Sequence, residues 1–377
     1  MSSARPAAVE AGPPLGALFA ERSAGPWLFG RRADQAIFGG SALLSIALLG
    51  VGWALGILES DTPEWVWLGA ILFVDIGHVW STLYRVYLDG QEVRRRPLLY
   101  LGTPVACYVV GVFVHSFGAL IFWRALAYFA VYHFVRQQYG WLALYRRRAG
   151  ETSKLDYRLD TATIYAATLY PLIWWHAHLP RNIVWFMRGD FVTGLTAPVA
   201  SVLAPVYWGL LVGFVLRQGY LLFAGGYDPK RVNWGKVQLV GTTWFCWWLG
   251  IMAIDGDYAF TVTNVLIHGI PYLYLTYRYG RARREQAPRS GVGRALRFGL
   301  PGFIVLLAFV AFSEESLWDS FVWHDHEWLF GAHDEAGRTL LLFLVPLLAM
   351  PQLTHYVLDG FIWKMKKNRT WAHALDG

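Results

Sequence analysis

The chain has 377 residues, 55% of them hydrophobic and 17% aromatic, with a formal net charge of +7 and a mean hydropathy of +0.34. This balance excludes an ordinary soluble domain, because several apolar runs reach the roughly 20 residues a helix needs to cross a bilayer. The runs are continuous rather than alternating, which excludes a β-barrel, and the basic residues sit between runs instead of forming a face for nucleic acid.

Residues 1–35 are rich in Ala, Pro, Gly and Ser and are expected to form a disordered cytoplasmic lead without a cleavable signal peptide. Apolar segments then follow near 36–58, 65–88, 98–114, 117–145, 161–179, 196–224, 237–254, 258–277, 300–312 and 339–363. Basic clusters close every second segment: Arg94 to Arg96, Arg146 to Arg148, Lys230 and Arg231, Arg281 to Arg284, and Lys364 to Lys367. Acidic or neutral turns, such as Glu59-Ser60-Asp61 and Asp255-Gly256-Asp257, lie between them. The positive-inside rule therefore predicts an all-α polytopic membrane bundle of about ten spans with both termini cytoplasmic. Residues 36–363 form the membrane domain and 364–377 a basic cytoplasmic tail. The expected location is the cell inner membrane. Cys107 and Cys246 both fall inside apolar runs and read as small buried hydrophobes rather than a disulfide framework.

Four histidines fall inside these segments: His78, His133, His268 and His355. All are in the second, fourth, eighth and tenth spans, which run in one direction, and each precedes the basic cluster that closes its span by a similar distance. At 1.5 Å of rise per residue, similar spacing means similar depth. Ionisable groups are costly in hydrocarbon and usually face a cavity or a site. The expectation is that the four imidazoles meet at one metal centre. Each has a polar neighbour near one helical turn away: Asp75 three before His78, Gln137 four after His133, Asn264 four before His268, and Asp359 four after His355. A metal-bound imidazole commonly donates its second N–H to such a group. Mixed histidine and carboxylate ligation suits non-haem iron, one ion or two.

Three other readings of the same residues stay open. Histidines in membrane helices serve as hydrogen-bonding struts. Bis-histidine haem would want histidines at two depths, usually paired on the same helices. A proton pathway would string polar residues through the whole thickness, whereas the outer halves of these helices are mostly apolar. Around the centre, Asp75 and Asp359 are candidates to orient or join the ligands. Arg136 is a candidate for binding an anionic group or for pairing with either aspartate. Arg85 and Asp89, four apart, are expected to pair. Tyr132, Tyr272, Tyr274 and Tyr356 either line a substrate cavity or pack. The loop from Trp323 to Glu335 carries His324, Asp325, His326, Glu327, His333 and Asp334, and is either a surface site for a divalent ion or a solvated loop.

The arrangement of His78, His133, His268 and His355 with Asp359 resembles the polytopic, membrane-embedded β-carotene dioxygenases of the Brp/Blh family. The paired boxes HxxxH and HxxHH of membrane desaturases and hydroxylases are absent from the spans. The resemblance implies non-haem iron held by intramembrane histidines and O2-dependent cleavage of a carotenoid-like substrate. The expected function is thus a metal-dependent oxidoreductase acting with O2 on a lipid or isoprenoid. Its partners would be the bilayer, an apolar substrate and an electron-donor protein, with no nucleic acid. A proton-coupled transporter or lipid-handling protein using the same His and Asp residues is the alternative.

Overall fold

In the computed structural model, residues 25–194, 197–333 and 336–363 are described. Among them every regular element is helical. Ten long helices carry the chain: α1 Arg31–Leu55, α2 Glu64–Tyr87, α3 Pro97–His115, α4 Ala119–Arg148, α5 Lys154–Ala177, α6 Ala197–Phe223, α7 234–253, α8 257–286, α9 Gly299–Trp323 and α10 Arg338–Ile362. Six of them, α1, α2, α3, α6, α9 and α10, are long and apolar enough to cross a membrane. Exposed apolar side chains along α3 (Leu98, Val105, Phe113) and α6 (Val202, Val215, Leu216) are consistent with contact to lipid.

Several helix ends differ from the sequence expectation, each for a local reason. α5 starts at Lys154, well before the apolar stretch, because Ser153 Oγ accepts the N–H of Asp156 at 3.2 Å and caps the first turn. The ninth segment, expected to end at Phe312, stays helical to Trp323. Its acidic residues did not stop it, since Glu314 accepts the indole N–H of Trp80 at 2.5 Å and that of Trp318 at 3.4 Å. At the N-terminal end the expected disorder does not extend through residue 35. Residues 1–24 lie outside the described residues, but Trp27, Leu28 and Phe29 are buried, and Asp34 accepts the N–H groups of Leu28 at 2.7 Å and Phe29 at 2.8 Å. The basic tail 364–377 also lies outside the described residues.

The chain divides into two compact units. One contains, of the described residues, Ile76–Ser116, 273–333 and 336–363, hence the end of α2, α3, the end of α8, α9 and α10. Its apolar contacts gather around Tyr84, Leu296 and Phe303, and around Val86, Tyr100 and Leu358. A buried ionic network runs beside them. Glu92 takes Arg85 at 3.3 Å, Arg95 at 2.7 Å and the hydroxyl of Tyr100 at 2.5 Å. Arg283 pairs with Asp89 at 2.7 Å. The expected Arg85–Asp89 pair is therefore replaced by two longer-range pairs. The Arg85 guanidinium also donates to the carbonyl of Ile362 at 3.0 Å and lies 4.6 Å from the Tyr279 ring centroid.

The other unit contains residues 25–75 and 117–272, hence α1, the start of α2, α4 to α7 and the start of α8. Its main core joins Val131, Phe134, Trp175, Phe191, Trp247, Phe260 and Ile267. At one end Asp160 is held by Arg146 and by Lys236 at 2.9 Å, with Glu151 2.9 Å from the same Lys236 ammonium. Desolvation raises the Asp160 carboxyl above its usual range, against the pull of both cations.

Candidate metal centre

Two helices carry their histidine next to stretches of wide, π-helical turns. In α2 these turns span Trp67–Ile76 and Leu83–Tyr87, with His78 between them on the tighter turn Gly77–Trp80. In α8 they span Thr261–Val265, just before His268. Such turns hold more residues than an α turn, so they rotate every side chain beyond them and often occur at functional sites. His133 lies mid-way along α4 and His355 in the last turns of α10. All four imidazoles are buried, at 1–3% exposure.

His78 and His355 meet edge to face with ring centroids 4.9 Å apart at 82°. Nδ1 of His355 lies 2.8 Å from the hydroxyl oxygen of Thr82. Thr82 is four residues beyond His78 on α2, so the helix that presents one imidazole also orients the other. Asp359, expected to serve His355, accepts the indole N–H of Trp363 at 3.1 Å.

His133 and His268 also meet edge to face, with centroids 5.0 Å apart at 82°. His268 stacks flat on Phe134 at 3.7 Å and 14°. Its backbone carbonyl accepts the amide N–H of Gln137 at 3.2 Å, so Gln137 braces α8 against α4. Gly269 permits a similarly close approach of α8 to α2. A Cβ there would lie 2.6 Å from Cγ1 of Val74 and 3.2 Å from its carbonyl oxygen. Asn264, the expected neighbour of His268, is hydrogen-bonded to its own helix, to the carbonyl of Phe260 at 3.3 Å and to Thr263 Oγ1 at 2.9 Å.

His78, His133 and His355 each offer one nitrogen, and the three atoms lie within 4.8 Å of one another. Three buried histidines are therefore close enough to hold a metal ion. Neither His268 nor the carboxylates of Asp75 and Asp359 belong to this set. Three imidazoles in an apolar surround suit a first-row transition metal far better than calcium or magnesium, which take oxygen ligands. The group within this distance thus contains three of the four expected histidines, and the His268 ring packs edge-on against one of them.

The remaining expected site residues go elsewhere. Arg136 is exposed on α4, donates to the Tyr165 hydroxyl and lies 4.9 Å from the Tyr139 ring centroid. Among the described residues it makes no pair with an aspartate. Tyr132 is 57% exposed, whereas Tyr272 and Tyr356 are buried, the latter taking the Gln352 amide N–H at 2.7 Å. Among the described residues the loop histidines His324, His326 and His333 form no second metal-binding group; Asp334 and Glu335 lie outside them. The residues that sequence reasoning missed are Thr82 and Phe134. Thr82 had a signal, one turn beyond His78 on the same helix face; Phe134 had none. No family model, curated protein or solved structure matches the chain.

Proposed function

We propose that this protein is a ten-span inner-membrane metalloenzyme with both termini in the cytoplasm, an oxidoreductase that acts with O2 on a lipid or isoprenoid. The observation that carries this reading is the meeting of His78, His133 and His355 within 4.8 Å, all three buried. The four helices outside the six most apolar ones, α4, α5, α7 and α8, would complete the ten spans. They carry more polar residues because they enclose buried side chains.

In this reading the three imidazoles hold non-haem iron. Bound there, iron would supply O2 activation beside an apolar substrate. The protein's own part is positional. The Thr82 hydroxyl lies 2.8 Å from Nδ1 of His355; with that nitrogen engaged, Nε2 is the one that would hold the metal. His268, itself stacked on Phe134, meets the ring of His133 edge to face, and apolar side chains of the surrounding core pack around them. The aromatic surround, with Phe134 and Trp185 in edge contact at 5.3 Å, is the kind of environment that suits a flat apolar substrate of the carotenoid type. An electron donor completes the proposed set of partners. Asp75 and Asp359 are proposed as flanking carboxylates rather than ligands.

Metal analysis of the purified protein tests the reading. The expected result is bound iron in the wild type and loss of it in His355→Ala. Protein that carries no iron, zinc or manganese, or a His355→Ala variant with unchanged content, would overturn it.

A further inference from the structure

A second site is independent of the histidines. A cleft of about 840 Å³ opens between the start of α1 and the connection from α6 to α7. Its walls include Trp27, Trp234 and Tyr227, with Arg31, Lys230 and Gln35 among them. Trp27 is buried, while Trp234 and Tyr227 are 39% and 69% exposed, so the cleft has an aromatic floor and an open mouth. Both cations stand at the ends of helices apolar enough to cross a membrane: Arg31 opens α1, and Lys230 follows the end of α6.

The charges distinguish this cleft from an ordinary basic interface. Its neighbour Arg231 is already committed to Asp228, at 3.4 Å, and to the carbonyl of Ala224. Among the described residues Arg31 and Lys230 have no side-chain partner. Two available cations in one cleft, beside indole and phenol rings of the kind that settle at the water–lipid boundary, match a phosphate joined to an apolar tail. Arg supplies a planar fork for phosphate oxygens and Lys a point charge.

We propose that this cleft binds the phosphate group of one anionic phospholipid. The phosphate sits between Arg31 and Lys230, and the glycerol and the upper acyl chains lie along Trp234 and Tyr227. The site takes phosphatidylglycerol over phosphatidylcholine, because the choline ammonium would add a third positive charge beside the pair.

Native mass spectrometry of the full chain in detergent, titrated with phosphatidylglycerol, phosphatidylcholine or soluble glycerol phosphate, tests this. The expected result is one tightly retained phosphatidylglycerol per chain. Arg31→Gln with Lys230→Gln weakens it about thirtyfold, at roughly fivefold per cation. A matched variant, Lys154→Gln with Arg158→Gln, removes the same charge from an exposed stretch of α5 and changes binding less than about threefold. Tyr227→Ala, at an exposed position that the fold tolerates, also weakens retention. Equal loss in the two charge variants would show a general electrostatic effect and overturn the proposal. So would equal retention of phosphatidylcholine, or saturation by glycerol phosphate alone, which would make the ligand a soluble phosphate.

Discussion

Thr82 Oγ1 stands 2.8 Å from Nδ1 of His355, and Thr82 is one helical turn beyond His78 on α2. One helix thus supplies a nitrogen to the three-histidine group and orients a second imidazole in it. Partners of this kind typically alter metal affinity by about 10- to 100-fold when removed. Thr82→Val keeps the shape and removes the hydroxyl. It is expected to weaken metal retention within that range under a chelator series, while Thr82→Ser retains most of it. Equal metal affinity in Thr82→Val and wild type would show that the contact orients nothing.

His268 separates a four-ligand centre from a three-ligand one. Its ring packs on His133 and Phe134, but its nitrogens are not in the group within 4.8 Å. His268→Phe should therefore keep the metal stoichiometry of wild type, measured by elemental analysis. His78→Ala, His133→Ala and His355→Ala should each lose it. Metal loss in His268→Phe equal to that in the other three would restore the four-histidine centre.

The close approach of α8 to α2 depends on the missing side chain at Gly269. A Cβ would meet both the side chain and the carbonyl oxygen of Val74. Gly269→Val is expected to destabilise by about 1–3 kcal/mol, as overpacking in a full core does. A thermal melt in detergent reads this directly. An unchanged melt would mean that the two helices separate without cost.

Asp160 holds Arg146 and Lys236 together, and the Asp160 and Lys236 side chains are 1% and 2% exposed. Asp160→Ala leaves two cations facing each other with only Glu151 between them. Removal of one partner from a buried network costs about 3–5 kcal/mol. Glu151→Gln, at a side chain 19% exposed, should cost clearly less. Comparable melts for both variants would place the stabilisation elsewhere.

Asp156 pairs with Arg217 at 2.7 Å, and that hydrogen bond holds its carboxyl below the usual 3.8. A depressed folded value means the pair stabilises the fold above the unfolded value, and that this contribution is lost as pH falls through the folded value. The pair is partly exposed, so its contribution is less than about 1 kcal/mol. Asp156→Asn should melt slightly below wild type at pH 7, and the two curves should converge below pH ~4. A gap that persists in acid would show that the aspartate acts through packing rather than charge.

The helices were legible in the sequence because hydropathy is a local property: each expected span lies on a long helix. The four histidines were legible for the same reason, as polar residues inside apolar runs. Their partners were not. Asp359 and Asn264 stand one turn from a histidine, but spacing alone did not show that Asp359 accepts from Trp363 or that the Asn264 amide donates within its own helix. Arg85 and Asp89 stand one turn apart, yet each binds a residue from beyond its own turn.

The sequence by itself determined that the chain forms apolar helices and that four of them carry a buried imidazole. Only the tertiary structure decided which rings share a point, that Thr82 serves His355, and that Arg136 faces outward. The reason is rotational. The wide turns before His78 and His268 turn each helix about its own axis by an amount that hydropathy does not encode. A side chain's partner depends on that angle as much as on its depth.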